Sequence, residues 1–458
     1  LIKRTLKIVQ EMAMGEGLAK QFGDLLIEGV SIDSRTVKEG NLFVPIVREK
    51  DGHNFVYEAI RKGAVASLWD KNHQNPPDDI PLIYVDNTLT ALQSLASAYR
   101  KQLSIKIIGI TGSNGKTTTK DMVNSIASTS YKVHKTKGNL NSQIGLPLTI
   151  LEILETDEIV VLEMGMSERG QIQRLAKIAE PDIAVITMIG LSHIATLGSR
   201  EEIANAKSEI IEGLKDGGVL IYNGDEPLLQ NIVSQKNKEN LRFISFGEND
   251  TNDLYPGRFS GESDGLKFTL NNNHTITYTL PLIGKHNIFN AIASIAVAKQ
   301  LNITEENIEK GLKNINITGM RMEKLKSSRG FTVINDAWNS SPTSVKAAIE
   351  TFQELSGYRK KILVLGDMLE LGELEEEYHK EIGRLVNPNK IDVVFTYGTL
   401  ASLISSEAEK ILGKGRTENF TDKGKLINRI NNILLPNDII LIKGSRGTAM
   451  DEVVTKIL

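Results

Sequence analysis

One junction constrains the fold of this chain more than any other. An apolar, β-branched run, Ile105 to Ile110, leads into Gly112-Ser113-Asn114-Gly115-Lys116-Thr117, and Met122, Val123, Ile126 and Ala127 follow at helical spacing. A strand that feeds a glycine-rich turn and then opens a helix is the context of a phosphate-binding loop. Backbone N–H groups and the helix dipole meet phosphate oxygens at such a helix start. Lys116 stands where it would reach β and γ phosphates, Thr117 where its hydroxyl would ligate Mg²⁺, and Thr118 continues the same turn. The common eight-residue form of the loop needs glycine at position 110, where this chain has Ile110. The plainer alternative is a glycine turn that binds nothing.

The surroundings of that loop predict the rest of its domain. Strand-like runs recur at Ile159 to Leu162, Ile183 to Thr187 and Val219 to Tyr222, with helical stretches between them. Such alternation predicts a parallel sheet covered on both faces. Phe259 to Leu280 carries turn signals and alternating residues, which predict an inserted hairpin, and a helix from Asn287 to Gln300 closes the block. Before it lie short strand-like runs, Asn41 to Ile46 and Leu82 to Val85, a polar loop from Lys71 to Asp79 and an alanine-rich helix from Leu89 to Lys101. After it, strands at Phe331 to Asn335, Ile362 to Leu365, Val393 to Tyr397 and Ile439 to Ile442 alternate with helical segments. The 458 residues suit about three domains of roughly 150 each. The expectation is an α/β protein of three domains: a smaller N-terminal α/β domain (1–104), a central phosphate-loop domain with a parallel sheet (105–316) and a Rossmann-like α/β domain (317–458).

Composition removes several classes of function. Lys plus Arg number 54 against 57 Asp plus Glu, a net charge of −3, so there is no basic excess for nucleic acid. Cysteine is absent, which excludes disulfides, thiolate zinc sites and cysteine nucleophiles, and fits a reducing compartment. No apolar run approaches the roughly 18 residues of a membrane span. The opening LIKRTLKIVQEMAMGEG lacks the apolar core of a signal peptide, so a cytoplasmic protein is expected.

Three residues beyond the loop are candidates for chemistry, against the plainer readings of an exposed strand-end glutamate and a surface histidine for the first two. Glu163 ends the strand beside Met164-Gly165, where a carboxylate faces the crevice of a parallel sheet and suits Mg²⁺. His193, in Gly190-Leu191-Ser192-His193, also lies beyond a strand's carboxyl end. Lys207 falls on the apolar stripe Ile203, Ile210, Leu214 of a helix predicted over Glu202 to Leu214. Such a lysine usually snorkels to solvent. If buried instead, its pKa falls and the neutral amine can add CO₂ to give a carbamate, an anionic ligand for a second Mg²⁺. Lys285-His286-Asn287-Ile288-Phe289-Asn290 opens a helix whose amides could read a base edge. Gly319-Met320-Arg321-Met322-Glu323 and Asn335-Asp336-Ala337-Trp338-Asn339 flank the third block's first strand. The histidines at 73, 134, 274 and 379 suggest no function, His53 sits in a loop, and the acidic run Glu373 to Glu377 reads as solvated helix surface.

Taken in order, these stretches resemble the Mur ligases, the ATP-dependent amide-bond ligases of peptidoglycan synthesis. The likeness rests on ITGSNGKTTTKDM, GNLNSQIGLPLTIL, LEMGMSERGQI, HNIFNAIASIAVA, GMRMEKL and KGSRG, which span almost the whole chain. SIDSRTVKEGNLFVPI with DGHNF, INDAWNSSPTSV and LGDMLELGELEEEYH resemble the member that adds D-alanyl-D-alanine to UDP-N-acetylmuramoyl-tripeptide. The resemblance implies ATP and two Mg²⁺ ions. It implies Lys116 and Thr117 at the phosphates, Glu163 and His193 as metal ligands, and Lys207 as the carbamylated lysine. By the same resemblance Asn287 and Asn290 belong to the adenine motif, and Arg321 and Asp336 reach ATP from the third domain. Asn139 and Asn141 match the muramoyl-peptide loop, and Ser34 and Arg35 the UDP-sugar motif. Asn339, Lys443, Ser445 and Arg446 fall where the dipeptide is expected. Trp338, Met166-Ser167 and Ser192-His193-Ile194 depart from the family's more usual residues. A monomer that binds no nucleic acid is expected. The alternatives are a sister ligase that adds a single amino acid and a phosphate-loop nucleotide switch.

Overall fold

The computed structural model describes residues 1–236, 240–262, 265–271 and 273–458. The run before the glycine-rich loop forms the strand Lys106–Thr111, near the middle of a six-stranded parallel sheet. From edge to edge the strands are Arg242–Phe246, Val219–Asn223, Ile183–Ile186, Lys106–Thr111, Ile159–Glu163 and Val133–Lys135. Every residue of 159–163 and 183–186 is buried, as helices on both faces require. Alternate residues serve opposite cores. Ile108, Ile110, Val161 and Val185 pack with Met122 and Ile126 of the helix Lys116–Ala127 and Ile292 and Ile295 of the helix His286–Gln300. Ile107, Val160, Leu162 and Ile186 face the other way, toward Leu175 of the helix Gln171–Ala179. The next two strands in sequence lie on one side of Lys106–Thr111 and the later three on the other. Ligands bind in the crevice that such a reversal opens at the strands' carboxyl ends.

The first domain has a four-stranded parallel sheet, in the order Val30–Ser31, Leu42–Phe43, Ala66–Asp70, Leu82–Val85, and a small antiparallel pair, Lys3–Thr5 with Leu26–Glu28. The predicted strand over 41–46 pairs only at Leu42–Phe43, because Pro45 has no N–H to offer a ladder. The third domain carries six strands, in the order Glu323–Lys326, Thr332–Asp336, Ile439–Lys443, Lys361–Gly366, Val393–Tyr397, Thr417–Phe420, with only the first pair antiparallel. The α/β class with parallel sheets is therefore as the alternation predicts.

Two expectations change. The stretch predicted as a hairpin is a three-stranded antiparallel sheet, Pro256–Glu262, Gly265–Leu270 and Asn273–Leu280. It is long enough for three strands of ordinary length, and Phe268 and Tyr278 stack 5.4 Å apart on its buried face. The helix predicted to Leu214 is α-helical over Arg200–Ser208 and tightens to a 3₁₀ turn over Glu209–Gly213. There Glu209 turns away to accept the backbone N–H groups of Gly170 at 2.9 and 3.0 Å and of Gln173 at 3.3 Å. The acidic run lies in the turn Gly372–Leu374 and the start of the helix Glu375–Arg384, mostly exposed.

Candidate active site

The loop's shape depends on its two glycines. Gly112 has φ +148° and Gly115 has φ +83°, and a Cβ at either would collide, 1.8 Å from Thr187 Oγ1 and 2.5 Å from Asn290 Oδ1. The neighbouring strand clamps the loop: Thr187 Oγ1 donates to the Asn114 carbonyl at 2.5 Å, and Ser113 N donates to the Met188 carbonyl at 2.9 Å. Lys116 Nζ folds back across the loop and donates to the Gly112 carbonyl at 2.7 Å and the Ser113 carbonyl at 3.4 Å. Burial lowers its pKa, with Arg321 pushing the same way and Glu163 opposing. The buried Ser113 Oγ finds no partner among the described residues.

On the acidic side, Glu163 is buried at the end of its strand. Its Oε2 accepts from Thr117 Oγ1 at 2.8 Å and its Oε1 from Asn141 Nδ2 at 2.8 Å. Adjacent ligands of an octahedral ion with 2.0–2.1 Å bonds stand about 2.9 Å apart. The Thr117 and Glu163 oxygens already have that separation, so this pair fits a shared Mg²⁺. Lys207 is 2 % exposed on its helix, and among the described residues no carboxylate pairs with it. Burial drives its pKa well below the ordinary lysine value, and Lys116 adds to the effect. The structure thus keeps the amine out of water, where its neutral form is favoured. His193 takes the left-handed conformation, φ +64°, and its Nδ1 lies 2.9 Å from Glu370 Oε2 of the third domain. Burial lowers its pKa, as do Lys207 and Lys116, while Glu370 opposes them.

The other sequence-predicted residues divide into those near the loop and those elsewhere. Asn287 and Asn290 are buried behind the loop, where Asn290 Nδ2 donates to Asn287 Oδ1 at 3.1 Å and Asn287 Nδ2 donates to the Ile283 carbonyl at 2.8 Å. Their side-chain amides bond one another and the Ile283 carbonyl, and Gly115, without a Cβ, lets Asn290 sit against the loop. Arg321 donates to the carbonyls of Thr318 and Gly319 at 3.5 and 3.4 Å, and its guanidinium stacks 5.3 Å from the Trp338 ring centre. Asp336 Oδ2 accepts from Lys443 Nζ at 2.7 Å, and that same ammonium donates to the Asn339 carbonyl at 2.8 Å.

Lys443 is buried in this pair and Ser445 is buried beside Ser340 and Leu369, so of the three KGSRG residues predicted to meet a dipeptide only Arg446 is exposed. Its guanidinium lies 4.5 Å from the Trp338 ring centre. Asn139 is exposed, and its carbonyl accepts from Asn141 N at 2.8 Å. Ser34 and Arg35 bond within the first domain, to Glu58 at 2.7 Å and to Asp33 at 2.7–3.2 Å.

Sequence reasoning missed Thr187, Glu370 and Asp121. Thr187 carried a usable signal, a hydroxyl at the carboxyl end of the strand beside the loop. Asp121 Oδ1 accepts from Lys135 at 2.8 Å, and its Oδ2 accepts from Thr318 N at 2.8 Å, tying the loop's helix to the chain entering the third domain. Neither Glu370 nor Asp121 has a local pattern that reveals its distant partner.

Family models match three stretches: the Mur ligase family catalytic domain over 26–100, the Mur ligase middle domain over 110–298, and the Mur ligase, glutamate ligase domain over 320–446. The UDP-N-acetylmuramoyl-tripeptide--D-alanyl-D-alanine ligase of Bacillus subtilis is 48% identical over 459 residues, covering 100% of this chain and 99% of the relative. This chain is a Mur ligase. Among solved structures, this Mur ligase resembles MurF from Acinetobacter baumannii, with TM-score 0.88 and 29% identity over 100% of this chain and 99% of that one. It also resembles the MurF ligase from Thermotoga maritima in complex with ADP, with TM-score 0.81 and 29% identity over 94% and 97% of the two chains. Among the described residues of this ligase, no helix is long and apolar enough to cross a membrane.

Proposed function

We propose that this Mur ligase joins D-alanyl-D-alanine to UDP-N-acetylmuramoyl-tripeptide, cleaving ATP to ADP and phosphate, in the cytoplasm and as a monomer. The observation that carries this reading is the Thr117–Glu163 pair, 2.8 Å apart beside Lys116 at the reversal of the central sheet. It occurs in a chain that matches a ligase of that name from end to end.

A carboxylate does not acylate an amine in water, because oxide is too poor a leaving group. In the proposed reaction the peptide's terminal carboxylate attacks the γ phosphorus, the bond to the bridging oxygen breaks, and ADP leaves. The dipeptide amine then attacks the acyl carbon, loses a proton, and inorganic phosphate departs. Loop N–H groups and Lys116 face the charge that spreads over the transferring phosphoryl oxygens. Thr117 and Glu163 would hold one Mg²⁺, and His193 with carbamylated Lys207 a second. The ions, when bound, supply neutralisation of phosphate and carboxylate charge. Arg321 and Asp336 serve the nucleotide from the third domain, with Asn287 and Asn290 shaping the loop from behind. Asn139 and Asn141 meet the muramoyl-peptide, Ser34 and Arg35 the UDP-sugar, and Arg446 the dipeptide carboxylate, on a strand end fixed by Asn339, Lys443 and Ser445. The same reading divides the chain into a UDP-sugar domain (1–104), an ATP domain (105–316) and a dipeptide domain (317–458).

The test is phosphate release from ATP and Mg²⁺, with UDP-N-acetylmuramoyl-tripeptide and D-alanyl-D-alanine supplied separately and together. Release that needs both supports the reading. Release with neither points to a nucleotide switch, and preference for a single amino acid points to a sister ligase.

A further inference from the structure

The metal-side histidine has a partner that comes from a different domain. His193 Nδ1 faces Glu370 Oε2 at 2.9 Å, and among the described residues its Nε2 makes no hydrogen bond. The pairing is built rather than incidental. Glu370 also accepts the Ala195 N–H on its carbonyl at 3.3 Å, and Ile194 packs partly buried against the third domain's core. Gly372, at φ +68°, approaches so closely that a Cβ there would lie 3.2 Å from Ala195 Cα. His193 and Glu370 both hold left-handed backbones, φ +64° and +63°, a conformation that costs a residue with a Cβ energy unless its surroundings impose it.

A histidine that ligates a metal through one ring nitrogen almost always donates its other N–H to a carboxylate or carbonyl, which fixes the tautomer and the ring's aim. Here the carboxylate is on Nδ1, which leaves Nε2 as the bare nitrogen. Ser192, the residue before it, donates its hydroxyl to the Ser113 carbonyl at 3.4 Å, so the turn that carries the imidazole stands against the phosphate loop.

We propose that Glu370 is a positioning residue that the third domain lends to His193, holding Nδ1–H so that Nε2 faces the site of phosphoryl transfer. Closure of the third domain and competence of the second metal position then become one event, because the ligand is aimed only while Glu370 is in place. The inference rests on the reading of His193 as a metal ligand.

The test uses the full chain, Mn²⁺ as the probe and a non-hydrolysable ATP analogue, with free Mn²⁺ counted by electron paramagnetic resonance. Glu370→Ala should weaken the second Mn²⁺ by about 10- to 100-fold, the usual cost of losing an outer partner of a metal ligand, and His193→Ala at least as much. The double variant should be no weaker than His193→Ala alone, and Glu370→Asp should recover part of the affinity. A purely mechanical latch would leave Mn²⁺ affinity unmoved in Glu370→Ala. That result, with His193→Ala still impaired, overturns the proposal. Unchanged Mn²⁺ binding in His193→Ala overturns instead the assignment of His193 on which it rests.

Discussion

Between the first and second domains an apolar core runs without a break, from Leu68 and Ile83 through Leu92 to Val160 and Leu162. Between the second and third, Ile194 and Ile283 are the second-domain residues that join the third domain's core among the described residues, and several of the remaining ties are polar. The first junction also buries Arg100, which donates to the Ala179 and Glu180 carbonyls at 2.7 and 2.8 Å, and Tyr99, whose hydroxyl donates to the Ile153 carbonyl at 2.9 Å. The second has Asn114 Nδ2 to Ser341 Oγ at 3.5 Å, the His193–Glu370 pair and the Asp121–Thr318 bond. Water can replace contacts of the second kind at little net cost, whereas separating the first would expose apolar surface and strand buried acceptors. The first domain and the phosphate loop therefore move as one body. The third domain is the part that can swing, and such closures commonly limit turnover.

The largest effect is expected inside the rigid half. Lys116→Ala should cost at least about a thousandfold in ligation while the melting temperature holds, because among the described residues its ammonium bonds only loop carbonyls. Turnover near wild type in that variant would remove the phosphate-loop assignment. Lys207→Ala should lose about a hundredfold and regain part of it with a short carboxylic acid, and depletion of CO₂ should slow the wild type. Absence of any rescue in steady-state assays counts against the carbamate.

The comparison itself is tested by a pair of substitutions. Arg100→Ala should lower unfolding free energy by about 3 kcal/mol in urea titrations and leave the folded fraction active. Asn114→Ala at the other junction should stay within about 0.5 kcal/mol and shift the solution scattering profile instead. Equal stability losses at both sites would erase the distinction.

The smallest effect is one of pH. Burial opposes ionisation of Asp121, yet Lys120, Lys135 and the Thr318 N–H outweigh it, so its carboxyl stays below the ordinary range. A depressed carboxyl contributes stability above its unfolded value, about pH 4, and that contribution is lost as pH falls further. Protease cleavage near residues 314–319 should then rise in acid before the first junction loosens. A flat cleavage profile would mean that Asp121 does not hold the linker.

The parts of this molecule that are local were legible in the sequence. The strand, glycine turn and helix around Lys116 are contiguous, and the place of Lys207 among Ile203 and Ile210 is a matter of spacing along one helix. What resists sequence reading is set by contacts between distant segments. Nothing near Asn290 says that it fills the space a Cβ would take at Gly115, and nothing near Lys443 says that Asp336 claims its ammonium. The helix after Ser208 tightens because Glu209 caps another helix, a partner that periodicity cannot see.

The strand order of the third domain bears on how the chain is made. Ile439–Lys443 lies between Thr332–Asp336 and Lys361–Gly366, strands synthesised some seventy or more residues earlier. Until residue 443 has left the ribosome, that sheet exists as two fragments with facing unpaired edges, open to pairing with the wrong chain. The central sheet has a like insertion, Ile159–Glu163 between Lys106–Thr111 and Val133–Lys135, but it closes long before the third domain is made. A nascent chain arrested before residue 439 should therefore show a protease-resistant front and a degradable tail, with chaperone demand concentrated where the third domain is synthesised.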